Sequence, residues 1–232
     1  MREPHVPTSP AIDAESAGRL LRRIEAHHDQ TGWHDEGNLW VYVLYERADV
    51  VIHRHIGRTM QSMGDPIRNA RYVAQPMLPP RKFHEGRRPE DSGPPDALRR
   101  FALNVAFADP AEACGDMAEL MAAFRALLQQ PGIVGYAACH EGFGWKASML
   151  PRRIPAPGRI QDDPDAQELR IAYLVDINDQ AHRVVRWRGE PAQLSTGEML
   201  GNVTTSLRIM ADLTAGRLPE SNPESFRARY PD

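Results

Sequence analysis

His53 and His55 stand two positions apart in the run VVIHRH, residues 50–55. On a strand, residues i and i+2 share a face. The pair could therefore offer two imidazoles to one metal ion, with His27, His28, His34 or His182 as a third ligand. The same spacing fits a solvated edge face, because no carboxylate partner stands beside it. A second stretch, His27-His28-Asp29 with His34-Asp35-Glu36, is richer in ligand types. It falls where a helix should end, and histidine is favoured at a helix C-terminus by the macrodipole alone. No metal ion and no cofactor is expected from these patterns.

Cys139-His140-Glu141 places a thiol next to a base. Neighbours on a strand point to opposite faces, so this pair cannot act as a nucleophile with its own base. The alternation puts Cys139 with Ala137 and Gly135, on a core-facing side. Cys114 and Cys139 are the only cysteines, and a chain with two of them reads as carrying free thiols, not a disulfide framework. No CxxC pair offers zinc ligands at the usual spacing. The glycine-rich phosphate loops, the GxSxG elbow and the HExxH helix are also missing.

Two stretches could hold a partner. In Gly142-Phe143-Gly144-Trp145-Lys146 the glycines suit a hairpin turn, and Phe143 or Trp145 could anchor another protein if exposed. Further back, Arg81-Lys82-Phe83-His84 is followed by Arg87-Arg88. Its cations could meet carboxylates or phosphates, and Phe83 could stack on a base. From Arg47 to Arg100 there are eleven Arg or Lys against six Asp or Glu, in a chain whose net charge is −3. That overall charge argues against a dedicated nucleic-acid binder. The arginine excess, 26 Arg to 2 Lys, falls on every segment and matches the codon bias of a GC-rich genome.

The elements that must position these residues follow from periodicity. Ala17, Leu20, Leu21, Ile24 and His28 form one helical stripe, so a helix is expected over 13–28, capped by Asp13 or Ser16. The apolar run LWVYVLYE, residues 39–46, has the character of a central strand covered on both faces. From Ile56 to Pro95, seven Pro and four Gly break any regular pattern, although RYVAQPML could form a short strand or edge. Residues 95–107 fit both a helix and a strand; the entry Pro94-Pro95-Asp96 favours the helix. Asp109-Pro110-Ala111-Glu112 opens a helix over 110–130, whose core stripe includes Leu120, Phe124 and Leu127. IVGYAACH then reads as a strand that turns at 141–144.

Leu169 to Gly189 alternates on both sides of Asn178-Asp179-Gln180, the mark of a β-hairpin with one buried face. Asp176 and Asp179 are turn formers. A capping box at Ser195-Thr196-Gly197-Glu198 predicts a last helix over 196–215, burying Leu200, Val203, Leu207 and Met210.

The expected fold class is α+β: a mostly antiparallel sheet of five or six strands with three or four packed helices. Residues 1–12 should be a flexible arm, 13–216 a single domain with a long Pro/Arg-rich loop at about 57–95, and 217–232 a flexible tail. The N-terminus has no apolar core of a signal peptide and no run is long enough to span a bilayer, so a cytoplasmic protein is expected. The leading functional expectation is a non-enzymatic module that binds a protein partner through Arg81, Lys82, Phe83, Arg87, Arg88 and the adjoining sheet edge, with Phe143 and Trp145 as further contacts. The alternatives are a metal-dependent or hydrolytic enzyme using His53, His55 and His182, and a nucleic-acid-binding accessory protein.

Overall fold

The apolar run at residues 39–46 forms a strand with neighbours on both sides and a helical layer on each face. In the computed structural model, β1 (Leu39–Glu46) pairs antiparallel with β3 (Tyr72–Leu78) on one side and β4 (Ile133–Gly144) on the other. Beyond β4 lie β5 (Gln167–Asp176), β6 (Ala181–Trp187) and β7 (Gln193–Ser195), while β2 (Ile67–Arg68) flanks β3. The order is β2-β3-β1-β4-β5-β6-β7, antiparallel throughout. The residues described are 11–30, 32–33, 39–46, 65–78, 93–107, 122, 124–128, 132–146, 163–195, 201–218, 225–226 and 229–230.

Strand alternation divides the core in two. Tyr42, Leu44, Ala137, Cys139, Ala172, Leu174 and Val184 face helix α1 (Ala14–Asp29), which contributes Ala17, Leu20, Leu21 and Ile24. Leu39, Val41, Val43, Tyr136, Ala138 and Val175 face the opposite layer. That layer holds helix α2 (Pro94–Phe107), the helical residues 124–128 and helix α3 (Asn202–Thr214). The chain is thus mixed α+β with a seven-stranded antiparallel sheet between helical layers. None of the described helices is long and apolar enough to cross a membrane.

Most long periodic segments form what their pattern predicts. Helix α1 is capped by Asp13, whose carboxylate accepts the Ser16 N–H at 2.8 Å. Residues 94–107 are helical, and RYVAQPML supplies β3. Phe124, Leu127 and Leu128 are buried, with Phe124 edge-on to Phe101 at 4.9 Å; Leu120 lies outside the described residues.

Four expectations need correction. The sheet has seven strands instead of five or six, because the two-residue β2 and three-residue β7 are too short to show a period. The loop expected at about 57–95 contains β2 as well as β3, the latter in RYVAQPML, whose pattern already allows a short strand or edge. The chain does not turn at 141–144: β4 continues to Gly144, paired with Gln167 of β5. Its glycines serve close packing there, because a Cβ on Gly142 would come within 3.1 Å of the His140 ring and one on Gly144 within 2.6 Å of Leu169.

The fourth concerns the last helix. Ser195 ends β7 and accepts a hydrogen bond from Arg183 Nε at 3.0 Å, and the helix described after it starts later than 196. Helix α3 begins at Asn202 behind Gly201, whose φ of 113° suits glycine alone.

The ends of the domain are tied down. Ile12 is buried, and its N–H meets the Asp176 carboxylate at 2.8 Å. Near the C-terminus Tyr230 is 1% exposed and part of the core, so the expected loose tail does not extend to that residue.

Phe124→Ala should lower unfolding stability by about 3–5 kcal/mol, the usual cost of a large core truncation. Urea denaturation would check this; a loss below about 1 kcal/mol would place Phe124 at the surface instead.

Candidate functional site

Among the described residues the largest fully buried side chain is charged. Arg170 lies on β5 at an inward position, on the face of Ala172 and Leu174, and is 0% exposed. Its guanidinium donates to Glu141 Oε1 from Nε at 3.0 Å and from Nη2 at 2.6 Å. Nη1 reaches Glu25 Oε1 at 3.0 Å and Asp29 Oδ1 at 3.5 Å, and Nη2 donates to the Gly32 carbonyl at 2.9 Å. Trp33 lies against it, 4.5 Å from ring centroid to guanidinium carbon. From β6, Arg186 adds ion pairs to Glu25 at 3.2 Å and Asp29 at 2.8 Å.

Helix α1 supplies Glu25 and Asp29 from its last turns, β4 supplies Glu141, and β5 and β6 supply the arginines. Burial works against the charge on Arg170. The hydrogen bond to Glu141 and the charges around it outweigh that effect, holding the guanidinium above its ordinary pKa. The Arg170 donors are taken up by protein acceptors, so this guanidinium ties α1, β4 and β5 together.

Next to it, His28 stacks on Trp40 at 3.8 Å and hydrogen-bonds the Tyr42 hydroxyl. Burial pushes the Tyr42 phenol and the Cys139 thiol well up, so neither ionises readily. Cys139 is a buried free thiol, as its strand position implies.

His140 points to the opposite face from Cys139, beside Leu39 and Ile171 in register. It is half-buried, and burial lowers its pKa from 6.5 to about 4.

The other residues read as possible sites are dispersed. His182 Nε2 lies 3.2 Å from the Ile12 carbonyl, so it serves the N-terminal segment. Phe143 and Trp145 are half-buried at the end of β4, and the Trp145 indole N–H is buried without an acceptor among the described residues. Arg81, Lys82, Phe83, Arg87, Arg88, His34, His53, His55 and Cys114 lie outside the described residues. Among the described residues no group of three or more His, Cys, Asp or Glu is placed to hold a metal ion.

The sequence reading missed the Arg170 cluster. The signal was present: Arg170 has the parity of Ala172 and Leu174, and Glu25 falls beside Ile24 and His28 on the buried stripe of α1. A charge at a core position calls for an opposite charge from another element. No family model, curated protein or solved structure matches this chain.

Arg170→Met should destabilise by about 3–5 kcal/mol, because it removes the buried guanidinium that Glu25 and Glu141 share. Adding Glu141→Gln and Glu25→Gln to that variant should recover part of the loss. Thermal or urea unfolding would show it, and a loss within about 0.5 kcal/mol would mean the cluster is solvated.

His140 gives a pH dependence of known sign. The unfolded chain takes up a proton near pH 6.5, the folded one only near 4. Its contribution is therefore fully present above pH 6.5 and is lost as pH falls toward 4. With allowance for partial exposure, the loss is on the order of 2 kcal/mol. Comparing wild type with His140→Leu at pH 7.5 and 5, the acid-induced drop should be smaller in the variant by on the order of 1 kcal/mol. Equal drops would show that the imidazole is solvated.

Proposed function

We propose that this protein is a non-enzymatic interaction module that captures an acidic protein partner at the β2–β3 end of its sheet. Arg81, Lys82, Arg87 and Arg88 supply the charged contacts and Phe83 an apolar one. The observation that carries the reading is the form of this edge. Strand β2 pairs only with Val73 and Ala74, so among the described residues no strand lies outside Gln75–Leu78. The chain then continues from Leu78 directly into the basic segment.

The surroundings favour the same sign of partner. Arg68 on β2 is exposed, and exposed Arg23 of α1 reaches its carbonyl. Arg19 lies one helical turn before Arg23 on the same side of α1. A positive edge on a chain of net charge −3 speeds encounter with an acidic surface, and its effect weakens as salt screens it. The histidine reading finds less support, because His28 and His182 are engaged by Tyr42, Trp40 and Ile12.

Replacing Arg81, Lys82, Arg87 and Arg88 together with Ser should leave unfolding stability within about 0.5 kcal/mol. Partner recovery in a pull-down from the native host should fall, and wild-type recovery should fall with added salt. The same partners at the same yield from both proteins would remove the proposal.

A further inference from the structure

The charges of α1 are sorted by side. Glu25 and Asp29 turn toward the sheet, where Arg170 and Arg186 hold them. The outward side keeps Arg19, Arg22, Arg23 and His27, all exposed, and Glu15 is the one acid of the helix on that side. Glu15 pairs with Arg19. Arg23 donates to a neutral acceptor, the Arg68 carbonyl of β2, which brings the exposed Arg68 beside this face. Arg22 has no acidic partner among the described residues.

Such sorting works against a helix standing alone. Arg19 with Arg22 and Arg19 with Arg23 are like charges at i, i+3 and i, i+4, spacings at which they repel. The macrodipole gives no compensation, because it favours cations in the last turn and these arginines precede it. The chain holds 31 acids against 28 Arg or Lys, so an ordinary solvated face would mix both signs. Codon bias explains why the cations are arginines; it does not explain why the acids lie on the other side.

The face also has the relief of a helix-docking seam. Arg19, Arg23 and His27 follow one another at one-turn intervals, ~6 Å apart, with Arg22 alongside. Ala26 lies between them, exposed and small. Interaxial distance is set by the side chains at the contact, so a second helix can come close over Ala26. Acids along its flank then meet the guanidinium groups in two-point contacts. No large apolar side chain of α1 is exposed, as a membrane surface would require. A nucleic-acid backbone fits less well, because a chain of net charge −3 repels a long polyanion beyond the patch.

We propose that the outward face of α1 docks an acidic helix of the protein partner, with Glu or Asp at one-turn spacing set against Arg19, Arg22 and Arg23. Resting on the acidic-partner reading above, the site adds the partner's form: the contact runs from the β2–β3 edge across Arg68 onto α1. The buried cluster is what leaves this face positive, since Arg170 and Arg186 draw the other acids of the helix inward.

The probe is a fluorescein-labelled, Ala-rich peptide about 20 residues long, helical and carrying Glu at every fourth position. Its binding to the full-length protein is read by fluorescence anisotropy, and it should weaken as salt is added. Arg19→Gln/Arg22→Gln/Arg23→Gln should bind about tenfold more weakly than wild type while keeping its thermal midpoint. Should the triple variant not fold, Arg22→Glu decides, because that side chain is exposed and should also weaken binding. The same peptide with two central Ala changed to Pro keeps its charge but not its helix, and should bind more weakly. The variant with Ser at 81, 82, 87 and 88 should retain the peptide. Loss of binding in that variant with none in the α1 variants would leave the edge reading standing and overturn the helix-docking site. Equal binding of the Pro-containing peptide would overturn it too, as would no binding by wild type. Tighter binding of a DNA duplex through the same arginines would assign the face to nucleic acid instead.

Discussion

A guanidinium with no access to water must be surrounded by acceptors, and this requirement at Arg170 governs how the α1 layer meets the sheet. Glu141 comes from the neighbouring strand, Glu25 and Asp29 from α1, and the Gly32 carbonyl from the segment after it. A helix held only by Leu20, Leu21 and Ile24 could slide or rotate at modest cost, because dispersion is weakly directional. The Arg170 fork allows one axial position. Arg186 repeats the constraint from β6 through the same two carboxylates. Such a cluster adds less to stability than its bond count suggests, since desolvation offsets much of the attraction. Its effect is on uniqueness of packing.

The rest of the architecture follows from a sheet buried on both faces. Central strands β4 and β5 carry Ala137, Ala138, Cys139 and Ala172, small enough for helical layers to approach from both sides. At Gly135 a Cβ would lie 2.7 Å from the Val175 carbonyl, so the close approach of β5 there needs a residue without one. The outer strands are short and flanked by Pro66 and Pro191, which limits continued pairing with other chains. Asp176 and Asp212 then tie both ends of the described chain, one through the Ile12 N–H and the other through Arg229 and Tyr230.

The chemistry-bearing residues divide according to this architecture. Cys139, His28, Tyr42 and Arg170 all belong to the α1 layer, where packing and hydrogen bonds hold them. The contacts proposed for a partner fall instead at the periphery, on the β2–β3 edge and the adjoining outward face of α1. Adding segments at the rim of a fully covered sheet leaves the core undisturbed.

Local pattern was enough to place α1, β1 and the β5–β6 hairpin, because a long amphipathic or apolar run has one burial solution wherever it docks. It was enough, too, to exclude a nucleophile from Cys139-His140, since strand geometry alone separates neighbours. Tertiary structure alone decided the rest. Strands β2 and β7 exist only because β3 and β6 offer them a ladder, which for Ser195 is its pairing with Arg183. Glu25, Glu141 and Arg170 are separated by 116 and 29 positions along the chain. Each reads locally as a surface charge until the fold brings the three within 3.0 Å contacts. Asp212 and Arg229 are likewise ordinary polar residues in sequence, and only the return of the chain over α3 brings them together. Charges compensate through space, and a local pattern carries no record of which distant partner will arrive.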